Sequence, residues 1–281
     1  MKITLGCLYP DIMSTYGDRG NVATIRRRCE WRGIAVDLRE LRLGDPAEPD
    51  DLDLIIIGSG GESQQRLVAA DLNEVKASGI REAVHLGAAA LAVGSGFELF
   101  GQYSRSGEGA KLPGVGLFDA WTIGHRAILS DQYDSLTEAR ADRAMGDLVV
   151  RWQDRLLVGF ENHAGRTYLG PTATPLGRVV SGVGNSGDGT EGVQLGSAVG
   201  THLRGPCLPR NPALADFLIA AALRRRHGDV DLPELADDVE LAAREVAMQR
   251  ARIASRARRG RVILRRPAGR VSPADVPTGG Q

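Results

Sequence analysis

A strand-turn-helix corner at residues 91–101 is the stretch of this sequence best suited to chemistry. A short apolar strand is predicted at Ala89–Val93, followed by a turn of small residues and a helix that begins near Phe97. Such a corner raises the side chain at its apex above the carboxyl end of a sheet and in front of a helix N-terminus, where developing negative charge is stabilised. A nucleophile that attacks a carbonyl carbon would sit at this apex. The residue there is Gly94.

Two other side chains are candidates for a displaced nucleophile. Ser95 directly follows the apex but would need a base, and Cys207 is close in sequence to His202, with a glycine and a proline between them. Strand alternation places His202 on the same side as Arg204. Because a nucleophile and its base tolerate little displacement, we favour a helix-start serine, a core cysteine and a structural histidine.

Three further blocks of sequence accompany the corner. They are YPDIMSTYGDRGN at 9–21, GFENH at 159–163 with GRTY at 165–168, and GTHLRGPCLPRN at 200–211. Together with the corner they resemble the cobyric-acid-synthase-like class I glutamine amidotransferases, of the GatD type found in lipid II isoglutaminyl synthase. The resemblance implies a class I amidotransferase-like (flavodoxin-like) α/β fold, in which helices flank a mixed sheet and a helical C-terminal extension follows.

The sequence departs from this family at both catalytic positions. The resemblance implies a cysteine at the position of Gly94 and a histidine at the position of Arg204, with an oxyanion hole that includes an N–H group of the turn containing Gly60 and Gly61. Glycine cannot form a thioester, and arginine stays protonated and cannot act as a general base. We therefore predict a pseudo-glutaminase with no intact catalytic residue. The alternative is an active amidotransferase or hydrolase with a relocated nucleophile, used in cell-wall or specialised-metabolite amide formation.

Two charged residues are predicted beside the altered dyad. Glu98 replaces the family's elbow glutamine one helical turn after the apex, so its carboxylate could approach Arg204, or else point to solvent and leave the pocket empty. Arg143 matches the family's substrate-pocket arginine. Its retention indicates that glutamine or another anionic ligand still binds, whereas the simpler interpretation is a surface arginine at a strand start. With Ser95, these residues complete the predicted pocket.

Composition restricts the partners. Lysine plus arginine equals aspartate plus glutamate, at 35 each, so the overall charge does not indicate nucleic acid binding. The three cysteines have neither disulfide-framework nor metal-ligand spacing, and no metal or cofactor is expected. Without an apolar run long enough to cross a membrane, we predict a cytoplasmic protein with no membrane span. The resemblance implies a heterodimer with a MurT-like Mur ligase subunit.

The chain divides by composition into an amidotransferase-like domain at 1–228, a helix at 229–260 and an Arg/Pro/Gly-rich, mobile tail at 261–281. We interpret the tail's arginines as a solvated helix end, with an anionic partner surface as the alternative. Within the domain, Asn21 is predicted to cap a helix, Glu62 to Gly87 to be helical, and Val115 to Phe118 to form a strand.

Overall fold

The structure is a computed structural model that describes residues 1–106, 109–124 and 143–262, with side chains as far as residue 252. Most of the tail predicted at 261–281 therefore lies outside the described residues. The α-helices are α1 (Arg19–Glu30), α2 (Glu62–Asp71), α3 (Ala77–His85), α4 (Ser95–Phe100), α5 (Pro212–His227) and α6 (Asp238–Val262).

The strands form three sheets. In chain order they are β1 (Lys2–Leu8), β2 (Ala35–Leu41), β3 (Leu54–Ile57), β4 (Ala89–Val93), β5 (Tyr103–Arg105), β6 (Lys111–Pro113), β7 (Ala120–Gly124), β8 (Ala144–Trp152), β9 (Arg155–His163), β10 (Gly165–Leu169), β11 (Gly177–Ser181), β12 (Thr190–Glu191), β13 (Val193–Leu195) and β14 (Ala198–Thr201). A six-stranded sheet has the order β13-β14-β4-β3-β1-β2, and two four-stranded sheets have the orders β10-β7-β5-β6 and β12-β11-β8-β9.

The six-stranded sheet is the centre of the fold. Strands β2, β1, β3, β4 and β14 run parallel, and β13 pairs antiparallel with β14 at one edge. Alternate residues of β3 enter different cores, because side chains alternate between the faces of a strand: Leu54 and Ile56 pack with α1 and α5, whereas Ile55 and Ile57 pack with α2 and α3. The predicted mixed sheet flanked by helices is confirmed.

Helix α1 follows the loop that begins at Tyr9. Val22, Ile25 and Cys29 recur at helical spacing and are buried, as expected of an inward face. The predicted cap was wrong, because Asp18 is the N-cap residue and Asn21 lies in the first turn. The amide of Asn21 is used elsewhere in the fold, where its Oδ1 atom accepts the backbone N–H of Leu208 at 3.0 Å.

The helical segment after β3 is interrupted. A π-helical turn at Leu72–Lys76 separates α2 from α3, and this wider turn changes which residues face inward. Val68, Leu72 and Ile80 are buried as the periodicity predicts. Leu67 and Val75, which the same periodicity places inside, are 56% and 41% exposed.

The two smaller sheets are formed by strands β5–β12, which follow the corner at Gly94 in the chain. The predicted strand at Val115 to Phe118 was wrong: Val115 donates its N–H to the carbonyl of Leu99 in an irregular segment between β6 and β7. Both Val115 and Phe118 are buried, so their apolar character reflects core packing and not strand pairing. Strands β8 and β9 form an antiparallel hairpin, which turns at Gln153 with φ +53°.

Helix α6 packs against the outer face of this hairpin. Met248 and Ala251 form a small core with Val149 and Val158. The helix begins at Asp238, and the preceding residues from Asp231 are irregular. Across the described ranges, no helix is long and apolar enough to cross a membrane.

A buried ion-pair network holds the segment before α6 to the domain. The guanidinium of Arg28, on α1, makes bidentate hydrogen bonds to Asp216 of α5 and to Asp237, at 2.5–3.0 Å. Arg28 is 2% exposed. Arg32 joins the network through Asp216 and the carbonyl of Pro233.

Candidate functional site

The sharp corner predicted from the sequence is present at the carboxyl end of β4. Gly94 links β4 to α4 with φ +57° and ψ −117°, a combination that is costly for a residue with a side chain. Its N–H donates to the carbonyl of Thr201 at 2.8 Å, and its carbonyl accepts the N–H of Glu98 at 3.1 Å. The corner therefore retains the shape of a nucleophile elbow with no nucleophilic side chain.

Another side chain fills the space above Gly94. An ideal Cβ atom at this position would lie 2.5 Å from Ser59 Oγ and 2.6 Å from both the Cζ and Nη2 atoms of Arg204. These separations are far shorter than van der Waals contacts between heavy atoms. The guanidinium of Arg204 thus occupies the volume in which a side chain at position 94 would stand.

The backbone of Arg204 is fixed by hydrogen bonds to the backbone of Phe160. Its N–H donates to the carbonyl of Phe160 at 2.8 Å, and the N–H of Phe160 donates back to the carbonyl of Arg204 at 3.4 Å. The guanidinium carbon lies 5.2 Å from the ring centroid of Tyr16, close enough for a cation–π interaction. Arg204 is only 6% exposed. Burial lowers its pKa, although the negative charge of Glu98 acts in the opposite direction.

The glycine turn after β3 contributes backbone N–H groups that are already bonded. The N–H of Gly60 donates to Ser95 Oγ at 2.7 Å, and the Ser95 hydroxyl donates to the carbonyl of Gly60 at 2.8 Å. The N–H of Gly61 donates to Gln64 Oε1 at 2.5 Å. An oxyanion would have to displace Ser95 or Gln64 to use either donor, so the turn is not preorganised as an oxyanion hole.

In the described ranges, neither of the candidate nucleophiles Ser95 and Cys207 is paired with a base. Ser95 Oγ is occupied by both backbone groups of Gly60, as described above. Cys207 is 1% exposed, burial raises the pKa of its thiol, and its Sγ atom lies 3.7 Å from Asn21 Oδ1. The Nε2 atom of His202 lies 2.9 Å from Thr167 Oγ1, and burial lowers the pKa of this imidazole well below its ordinary value. These contacts fit the structural roles favoured from the sequence.

A cavity of about 240 Å³ opens beside Arg204. The predicted pocket positions Gly60, Gly61, Glu98 and Arg143 line it together with Arg204, whereas Gly94 and Ser95 do not contribute to its lining. The ionisable side chains on the cavity wall are Tyr16, Glu62, Glu98, Arg105, Arg143, His163 and Arg204.

Glu98 and Arg204 face this cavity without forming a contact ion pair. Burial raises the pKa of Glu98, and the charge of Arg204 and a hydrogen bond with Gln65 counteract that rise. Within the described part of the chain, the ion pairs do not include one between Glu98 and Arg204. The two charges therefore interact across the cavity and leave it open.

Two wall residues were not selected from the sequence as site residues, although both lie in the quoted blocks. Asn162 accepts the Nε–H of Arg143 at 2.5 Å through Oδ1 and donates through Nδ2 to the Tyr16 hydroxyl at 2.8 Å. Tyr16 has φ +65°, an unusual conformation for a residue with a side chain. The hydrogen bond from Asn162 helps to hold the phenol ring beneath the Arg204 guanidinium.

His163, which lines the cavity, stacks on the buried ring of His202, which does not. The rings of His163 and His202 are parallel within 13°, with centroids 4.1 Å apart. The Nδ1 atom of His163 lies 2.8 Å from the carbonyl oxygen of Gly165, and its Nε2 atom lies 3.6 Å from Glu161 Oε2. Among the described residues, no cluster of three or more His, Cys, Asp or Glu side chains is arranged to hold a metal ion.

The fold and the elbow define a class I glutamine amidotransferase domain. Residues 4–212 match the CobB/CobQ-like glutamine amidotransferase domain. The chain belongs to this family, as a GatD-like class I glutamine amidotransferase.

Among curated relatives, the chain is 30% identical over 252 residues to the subunit GatD of lipid II isoglutaminyl synthase (glutamine-hydrolyzing) from Staphylococcus aureus, covering 89% of this chain and 96% of the relative. It is 31% identical over 260 residues to the GatD subunit from Streptococcus pneumoniae, covering 91% and 93%. A solved structure of PurLQS from Thermotoga maritima aligns with a TM-score of 0.46 at 16% identity, covering 80% of this chain and 99% of that one.

Proposed function

We propose that this chain is the GatD-like subunit of a complex with a MurT-like Mur ligase that amidates a carboxylate of peptidoglycan precursors or a related substrate, and that it does not hydrolyse glutamine. Similarity to GatD along almost the full length of both curated relatives supports the pairing. In this complex the ligase draws on free ammonia or another amine, and the GatD-like subunit stabilises or regulates it in the cytoplasm.

The occupation of the elbow by Arg204 is the observation that carries the proposal. Glutamine hydrolysis in this fold requires a thiolate at the apex and a base beside it. Here the apex has no side chain, and the guanidinium lies where the thiolate would stand. Because arginine remains protonated at physiological pH, it cannot remove a proton from any nucleophile. The N–H of Gly60 already donates to Ser95 Oγ, so a preorganised oxyanion hole, the third requirement for hydrolysis, is also missing.

Co-expression with a Mur-ligase-like protein from the same organism tests the pairing and the nitrogen source together. We expect the two proteins to co-purify, and we expect the complex to amidate its substrate with ammonium but not with glutamine. The ligase alone, assayed with ammonium, is the control for a stabilising or regulatory effect. Failure to recover a complex would contradict the pairing, and amidation supported by glutamine would contradict the loss of hydrolysis.

A further inference from the structure

The guanidinium of Arg204 is buried without a hydrogen-bonding partner. The residue is 6% exposed, and its Nε atom is buried and unbonded. Within the described residues its side chain makes no hydrogen bond or ion pair, and its close neighbour is the face of the Tyr16 ring. A guanidinium carries five N–H donors, and a buried charge is strongly unfavourable unless an acceptor compensates it. The residues that the structure describes do not supply that acceptor.

The nearest carboxylates, those of Glu98 and Asp18, do not contact the guanidinium of Arg204. Burial raises the pKa of Glu98, and the charge of Arg204 acts in the opposite direction. Asp18 Oδ2 accepts the N–H of Ser59 at 2.7 Å, and Asp18 Oδ1 has no hydrogen bond. Neither carboxylate pairs with Arg204 at contact distance, although both lie close enough to affect its charge.

A second buried group on the same cavity has a ring nitrogen without a hydrogen bond, although Glu161 Oε2 lies 3.6 Å from it. His163 is 2% exposed, and its Nε2 atom has no hydrogen bond. His163 and Arg204 both line the cavity of about 240 Å³, whose wall also includes the exposed side chains of Arg105 and Arg143. At about 30 Å³ for each water, this volume holds about eight waters or one molecule of amino-acid size.

We propose that this cavity binds a small carboxylate of amino-acid size, with its anionic group on the guanidinium of Arg204. A carboxylate offers two acceptor oxygens to the planar guanidinium fork, whereas a neutral amide offers one acceptor and leaves the charge uncompensated. The cavity therefore selects an acid over the corresponding amide. This inference rests on the proposed function, because a pocket that hydrolyses glutamine must accept a neutral amide beside the elbow.

Calorimetric titration of the full chain with glutarate, L-glutamate, glutaramide and inorganic phosphate, at constant ionic strength, tests the proposal. Glutaramide is the neutral diamide of glutarate, and we expect at least one of the two carboxylates to bind about tenfold or more tightly than glutaramide, as loss of a hydrogen bond to a charged group would predict. Tighter binding of phosphate than of either carboxylate would overturn the assignment of carboxylate. Equal affinity for the acids and the amide, or no saturable binding of any probe, would overturn the proposal.

Variants then locate the site. Arg204→Gln is expected to lower carboxylate affinity about tenfold or more, whereas Arg151→Met, which removes an exposed arginine outside the cavity wall, is expected to leave it unchanged. If Arg204→Gln does not fold, His163→Gln replaces it and is likewise expected to weaken binding. Unchanged affinity in a folded cavity variant would contradict the site. Glutamate released from L-glutamine by the unaltered chain would instead contradict the proposed function, so the two failures are distinguishable.

Discussion

The guanidinium carbon of Arg204 lies 2.6 Å from the point at which a Cβ atom on Gly94 would stand. A cysteine at the elbow and this conformation of the arginine are therefore mutually exclusive. The loss of the nucleophile and the replacement of the base form one steric arrangement, since the space vacated by the first change is filled by the second. Restoring the cysteine alone is therefore expected to create a steric conflict with Arg204.

Substitution of Gly94 by alanine or cysteine should lower stability. A side chain there would meet both Ser59 and Arg204 and would also hold a φ of +57°. We expect a loss of about 1–3 kcal/mol from the backbone conformation alone and a further loss from overpacking, measured by urea denaturation. Gly87→Ala is the matched control, because Gly87 also has positive φ but no heavy atom within 4 Å of an added Cβ.

Removing the guanidinium should relieve part of this cost. In an Arg204→Ala background, Gly94→Cys is expected to destabilise the chain less than it does in the parent. An equal cost in both backgrounds would show that the guanidinium is not what the new side chain meets, and a gain in stability for Gly94→Cys would refute the steric account.

Restoring the dyad should not restore full glutaminase activity. Gly94→Cys with Arg204→His supplies a nucleophile and a base, but the N–H of Gly60 still donates to Ser95 Oγ. Adding Ser95→Ala frees this donor, and one oxyanion-hole donor contributes about 10²–10³ in kcat. We expect the triple variant to release glutamate faster than the double variant. Equal rates at saturating glutamine would mean that the bonded N–H does not limit hydrolysis.

The elbow and the parallel sheet were predictable because their residues obey local rules. The strand at Ala89–Val93 is apolar throughout and is followed by a turn of small residues, which is typical of a buried parallel strand. At the apex, Gly94 has a φ of +57°, a conformation that glycine adopts at little cost. The interruption at Leu72–Lys76 was not predictable, because a π-helical turn has no residue signature that distinguishes it from continuous α-helix.

The location of the Arg204 guanidinium also lay beyond sequence reasoning. The sequence identifies the loss of a base at this position but not the direction of a long side chain with several rotatable bonds. That direction depends on Tyr16 and on the space above Gly94, which other strands and loops supply. The same limit applies to Ser95, whose hydroxyl has several possible partners until the fold brings it to Gly60.

The attachment of the segment before α6 to the rest of the domain should depend on Arg28. Arg28→Met leaves the carboxylate of Asp237 without its bidentate partner, and disrupting a buried ion pair costs about 3–5 kcal/mol. We expect a loss near the lower end of this range, because Arg32 still pairs with Asp216. Urea denaturation measures the loss, and limited proteolysis should show earlier cleavage between α5 and α6.

Arg27→Met is the control for this prediction. Its ion pair with Glu30 is mostly exposed, so its removal is expected to cost no more than about 1 kcal/mol. Similar effects of the Arg28 and Arg27 substitutions would contradict the anchoring role of the buried network.

Stability should fall as pH rises toward 8 because of Glu191. Burial raises the pKa of this carboxyl from 4.5 to about 8, so the folded state holds a proton that the unfolded state has released, and stability decreases with pH across this window. The effect of Glu191 is clearest above pH 6, since the pKa of Asp18 is raised only to about 6. Glu191→Gln, which keeps a neutral hydrogen-bonding group, should flatten the slope of melting temperature against pH.

Glu82→Gln, an exposed substitution, should keep the slope of the parent chain. The Glu191 assignment would be wrong if Glu191→Gln left that slope unchanged.

The release of glutamate from glutamine by the purified chain, alone and with its ligase partner, tests the central claim most directly. Gly94 provides no thiolate, and Arg204 both fills its place and cannot accept a proton. We therefore predict glutamate at the level of a protein-free control under both conditions. A saturable rate above that level, abolished by Ser95→Ala or Cys207→Ala, would contradict the account and establish a relocated nucleophile.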